Sequence, residues 1–178
     1  MRCTLRNKIK FFFGIATLSL TPIMLASADD GPELEFKQVF SAVIVQHSDA
    51  KLTSPYGVRT DPFTENSSWH GGVDIGEVPM KTELFAPAAG EVIYADYKAG
   101  YGRMIDLKLD ESGHIIRYAH LFDIKVEVGE QLDAGALVGR VGSPGRSFGP
   151  HVHVEYHIDD KQYDPSKIPG LKLLAEVD

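Results

Sequence analysis

The 178-residue chain has a single cysteine and little positive charge. Cys3 precedes an apolar run, so neither a disulfide framework nor a cysteine-built metal site can hold the fold. Its position before that run also excludes a lipid-anchor role. With 18 Lys and Arg against 25 Asp and Glu, the net charge is −7. That balance argues against a nucleic-acid partner, which calls for a basic stripe, and offers no steering towards anionic polymers. Beyond Val45 no segment carries a helical stripe of three turns, and no repeat, heptad or low-complexity segment is present. The one long apolar run, residues 11–25, is too short for a comfortable membrane span. It follows Arg2, Arg6, Lys8 and Lys10 and ends at Ala26-Ser27-Ala28, the pattern of a signal peptide cut before Asp29. Cleavage there leaves 150 residues, with 14 basic against 25 acidic side chains and a net charge of −11.

What remains reads as one mainly β domain. Residues 29–50 open acidic and Gly/Pro-containing and are expected to form an N-terminal arm, with His47 or a carboxylate as a candidate to cover the site. The domain proper is expected over 51–168, followed by a tail, 169–178. Short Val/Ile/Tyr-rich runs at 90–95, 103–109, 115–119, 137–141 and 151–158 alternate with Gly, Pro, Asp and Ser, the pattern of many short strands in a sandwich or barrel-like, antiparallel sheet. Ser54-Pro55-Tyr56-Gly57 and Gly142-Ser143-Pro144-Gly145 are turn signals, and Ser112-Gly113 predicts a hairpin turn with His114 exposed.

The last of these strands carries the chemistry. Its parities read His151, His153, Glu155, His157 and Val152, Val154, Tyr156, Ile158. Period two therefore puts the histidines on one face, lining an open groove, and the apolar set on the core. His151 and His153, roughly 7 Å apart, let one imidazole bind a metal while the other acts on what the metal holds. His70 and Asp74, flanking Gly71-Gly72, supply two more donors. Two imidazoles and one carboxylate make the ligand count of a catalytic zinc site with one position open. His120, ending a strand-like run, completes the set. Glu155 suits a supporting role better than a ligand role, and His157 lies too far along the strand to share the metal. Tyr56 and Tyr101 either flank the groove or pack in the core.

Several motifs together resemble the lysostaphin/LytM-type zinc metallopeptidases over residues 52–165. They are Ser54-Pro-Tyr-Gly-Val-Arg-Thr-Asp-Pro-Phe63, Trp69-His-Gly-Gly-Val-Asp-Ile-Gly76, Ala86-Pro-Ala-Ala-Gly-Glu-Val92, Gly100-Tyr-Gly102, Arg117-Tyr-Ala-His-Leu121, Val128-Gly-Glu-Gln-Leu132, Gly142-Ser-Pro-Gly-Arg-Ser-Phe-Gly-Pro-His-Val-His-Val-Glu155 and Asp164-Pro165. The resemblance implies a barrel-sandwich-like domain with Zn2+ held by His70, Asp74 and His153, and with His120 and His151 as catalytic partners. Phe148, Val152 and Val154 depart from the family's usual residues without touching a ligand.

The activity implied is hydrolysis of peptide cross-links in bacterial peptidoglycan, during wall remodelling or division. The D-alanyl–diaminopimelate bond is the expected target and peptide stems the expected partners. A monomer is expected, with a divisome or wall-synthesis partner left open. The leader implies export to the periplasm or cell envelope, or secretion. Two other readings compete: a non-catalytic activator of wall amidases, disfavoured because every ligand position is retained, and a secreted bacteriolysin cutting glycine-rich bridges.

Overall fold

The computed structural model describes residues 40–61, 64–109, 113–143 and 149–175. The leader and Phe148 lie outside the described residues. Fourteen short strands are present among them: β1 (Val43–Val45), β2 (Lys51–Ser54), β3 (Gly57–Thr60), β4 (Ser67–His70), β5 (Val73–Gly76), β6 (Glu83–Phe85), β7 (Gly90–Lys98), β8 (Gly102–Leu109), β9 (Ile115–Ile124), β10 (Gln131–Leu132), β11 (Leu137–Val141), β12 (Val152–Ile158), β13 (Lys161–Tyr163) and β14 (Lys172–Leu174). One 3₁₀ turn, Pro165–Lys167, is the only helical element described; Asp164 caps it by accepting from the Ser166 amide. Twelve strands form one sheet in which β10, β7, β8, β9, β11, β6, β1 and β14 run in order, with β12 joining β9 to β5; β3 and β4 make a separate ribbon.

Strand β9 organises the site. Its first half pairs with β12, His153 facing Ala119 and Glu155 facing Arg117, whereas its second half pairs with β11, Val141 facing Leu121. The change of partner falls at His120, where the register against β8 also slips. His120 has φ +61°, the left-handed region that costs a β-carbon residue energy. The corner is pinned by the backbone: the His120 amide donates to the Tyr101 carbonyl (2.8 Å), and the Gly142 amide donates to the His120 carbonyl (3.0 Å). Only glycine fits at 142, because an added Cβ would lie 2.7 Å from the Leu121 carbonyl carbon.

Three expectations need correction. Within the described parts of the expected arm and tail, β1 and β14 belong to the sheet: they pair in parallel, making it mixed, and Ile44 and Val45 are fully buried. These short triplets gave no period to read, yet β1 joins β6 to β14, which forms the edge of the sheet. His47 accepts from the Asp49 amide in a local turn and is not among the residues lining the site pocket. His114 is half-buried rather than exposed, its Nδ1 2.7 Å from the Tyr156 hydroxyl, and burial pushes its pKa down.

The two faces of β12 also differ from a simple inside and outside. Val152, Val154 and Tyr156 are fully buried in the core. The opposite face is closed over as well: His153 is 6% exposed and Glu155 2%. A buried polar face must find partners within the protein, and these partners build the site.

Candidate metal centre and active site

Asp74 on β5 and His153 on β12 are cross-strand partners, which puts their side chains on one face. His70 ends β4, and the Gly71-Gly72 turn brings it back over the same point. Gly72 packs on β12 so closely that a Cβ would run into the Val154 carbonyl oxygen. The result is a tight cluster. His70 Nε2 lies 3.1 Å from Asp74 Oδ1 and 3.0 Å from His153 Nδ1, and His153 Nδ1 lies 2.8 Å from Asp74 Oδ1.

The outer ring nitrogens decide what this cluster can hold. His70 Nδ1 donates to the Pro55 carbonyl (2.7 Å), so in its neutral form Nε2 carries the lone pair. His153 Nε2 donates to Glu155 Oε1 (3.1 Å), so the lone pair falls on Nδ1. Two imidazole lone pairs and a carboxylate oxygen therefore converge on one another, an acceptor-only arrangement that calls for a cation. The donor set and the backing of each imidazole fit zinc. Burial opposes the charge of Asp74, but the two imidazoles packed against its carboxylate outweigh it and hold the carboxyl well below its usual range.

Behind His153, Glu155 has the supporting place expected of it, in a row of charges whose other members sequence reading missed. Asp106, Arg117 and Glu155 are cross-strand neighbours on β8, β9 and β12. Arg117 grips Asp106 with two bonds (2.7 and 2.8 Å) and gives a third to Glu155 (3.1 Å). Glu155 also accepts from Tyr101 (3.0 Å) and His157 (2.7 Å). Its pKa is opposed by burial, yet bonds from His153 and His157 and the charge of Arg117 hold it low. Burial and Glu155 raise Tyr101. The available signal was a charge inside an apolar strand: Asp106 stands between Ile105 and Leu107, and Arg117 between Ile116 and Tyr118.

Opposite the cluster, the His120 and His151 rings meet edge-on at 4.8 Å, and His120 is 6.1 Å from His153. His151 Nδ1 donates to the Gly149 carbonyl (2.9 Å), which assigns the lone pair of the neutral ring to Nε2. All five residues singled out in the sequence line one pocket of about 230 Å³. Arg59 and the half-exposed Trp69 also line it. Tyr101 lines the pocket and Tyr56 does not; Tyr56 backs Trp69, edge-on at 4.9 Å, and donates to the Gln162 carbonyl (2.9 Å).

Residues 68–165 match the model of peptidase family M23. The chain belongs to that family. This M23 chain is 31% identical over 140 residues to a DD-carboxypeptidase/endopeptidase, Mpg, of Neisseria meningitidis, covering 79% of the chain but only 31% of Mpg. It thus spans about a third of the length of the curated relatives it matches. A zinc-containing peptidase from Vibrio cholerae superposes with a TM-score of 0.64 at 25% identity, over 71% of this chain and 39% of that one. The catalytic domain of the antimicrobial peptidase lysostaphin from Staphylococcus simulans superposes at 0.58 with 30% identity, over 65% of this chain and 89% of that domain. The lysostaphin-type resemblance of the motifs and the sheet-rich fold are thereby both established.

Proposed function

We propose that this chain is a zinc-dependent endopeptidase that hydrolyses peptide cross-links of bacterial peptidoglycan in the cell envelope, with the D-alanyl–diaminopimelate bond as its target. The observation that carries the reading is the convergence of His70, Asp74 and His153 opposite the His120–His151 pair in one pocket. The relative Mpg supports the choice of bond, since its name specifies cleavage between D-residues, and stem peptides of the wall contain such bonds. The leader pattern supports export. Retention of all five positions favours an enzyme over a non-catalytic amidase activator.

His70, Asp74 and His153 would hold the metal. Zinc, when bound, polarises a carbonyl and lowers the pKa of water from about 16 towards 7. His151, its Nδ1 proton committed to Gly149, presents the Nε2 lone pair as the base that takes a proton from the attacking water and returns it to the leaving amine. His120 donates a hydrogen bond to the substrate oxygen as negative charge develops there. Glu155 holds the His153 ring and tautomer.

Defined cross-linked muropeptides, incubated with the protein and resolved by mass spectrometry, test this directly. Cleavage between D-alanine and diaminopimelate is expected, with loss in chelator and recovery on adding zinc. Chelator-insensitive cleavage, or full activity in His153→Ala, refutes the mechanism.

A further inference from the structure

Among the described residues, Arg59 is the only lysine or arginine lining the pocket, and the peptidase reaction gives it no task. It sits on β3, where Val58 faces solvent at 74% exposure while the Arg59 side chain turns inward and keeps 28%. Its Nε is buried without a hydrogen-bond partner among the described residues. Its nearest carboxylate oxygen among the described residues, Asp74 Oδ2, is 3.6 Å from Nη2, longer than a hydrogen bond. The other Asp74 oxygen is already engaged by both imidazoles. A guanidinium presents five N–H donors in a planar fork suited to a carboxylate. Here that fork is half-desolvated, incompletely satisfied, and one carboxylate away from the three converging donors.

A group bound by Arg59 therefore lies within a few bonds of the bond being cut. In a D-alanyl–diaminopimelate cross-link, the carbon bearing the leaving amine also bears a free carboxylate. In a glycine bridge the corresponding carboxyl is tied up as an amide. We propose that Arg59 is a specificity-determining residue that pairs with the free carboxylate beside the scissile nitrogen, restricting the site to acidic leaving groups. The inference rests on the peptidase reading and narrows its substrate class. Because the chain as a whole is acidic, recognition of an anionic group needs such a local cation.

The test uses two cross-linked muropeptides differing only in whether that carboxylate is free or amidated. Both are given to the zinc-loaded wild type, to Arg59→Gln and to Arg59→Lys, with zinc content measured for each protein. The wild type is expected to favour the free acid by about ten- to a hundred-fold in kcat/KM, the range of a charge-assisted hydrogen bond. Arg59→Gln should lose that preference by slowing only on the free acid, with zinc content unchanged. Arg59→Lys should retain part of it, keeping the charge without the fork. Equal cleavage of both substrates by the wild type overturns the proposal. So does an equal loss on both in Arg59→Gln, or loss of zinc from that variant, which would make Arg59 a support for Asp74. If the zinc-loaded wild type cuts neither muropeptide, the peptidase reading itself fails, a result separate from the other three.

Discussion

Glu155→Gln tests how the metal centre is built. The side chain is 2% exposed and takes four hydrogen bonds, from His153, Tyr101, Arg117 and His157. Glutamine has the same shape but only one accepting oxygen. If that oxygen faces His153 and Tyr101, its amide group confronts Arg117 and His157, which are themselves donors. Arg117 keeps Asp106 but loses its second carboxylate. Removing one partner of a buried charge pair costs about 3 kcal/mol, a fall in Tm of about 6–12 °C for a domain of this size. The His153 tautomer also loses its charged acceptor, so zinc affinity should fall by about ten- to a hundred-fold.

Two assays separate these effects: thermal unfolding in chelator, and competition for zinc against a dye. The pH dependence gives a third check. Because the folded pKa of Glu155 lies below its unfolded value of about 4.3, its stabilisation is complete above that pH. It is lost as the pH falls through the folded value. The gap between wild type and variant should therefore be constant near neutrality and shrink below about pH 4. A variant with wild-type Tm in chelator and wild-type zinc affinity would refute the claim that Glu155 anchors the centre.

Replacing His151 or His120 by alanine should each lower kcat by about a hundred- to a thousand-fold while zinc content stays at the wild-type level; loss of zinc would reassign the residue to the metal. Gly72→Ala should destabilise the metal-free protein by about 3 kcal/mol or prevent folding, since its Cβ would meet the Val154 backbone oxygen. Unchanged denaturant unfolding of that variant would show that β4 and β5 can separate from β12.

The parts of the fold that repeat locally were legible. The runs at 103–109, 115–119 and 137–141 appear as β8, the first half of β9 and β11 because a short β-branched and apolar run bounded by turn residues is a local feature of the chain. Pairing is not local, and what depends on it was hidden. Nothing in Val43–Val45 announces that it lies between β6 and β14. Nothing in Tyr118-Ala119-His120 announces that β9 changes partner there. The five pocket residues were found because each is a chemically unusual type at a telling spacing. The Asp106–Arg117–Glu155 row was missed because its members meet only after three strands come into register.

The roles within His151-Val152-His153 depend on contacts that spacing cannot express. Two imidazoles on one strand face are equivalent by period. They become different because each is tied down through a different nitrogen. Glu155 takes the Nε2 proton of His153 and turns Nδ1 towards Asp74 and His70. The Gly149 carbonyl takes the Nδ1 proton of His151, leaving that ring beside His120 with its lone pair on Nε2. His153 is buried between strands paired on both sides, which suits the proposed ligand role. His151 instead sits at the strand's edge, bridged to Gly142, whose own amide holds the strained His120 corner. The proposed base, His151, and the proposed hydrogen-bond donor, His120, thus share one backbone corner that fixes their separation. The energy stored in the left-handed His120 is therefore spent on geometry between the two groups that would move protons, not on the groups that would hold the metal.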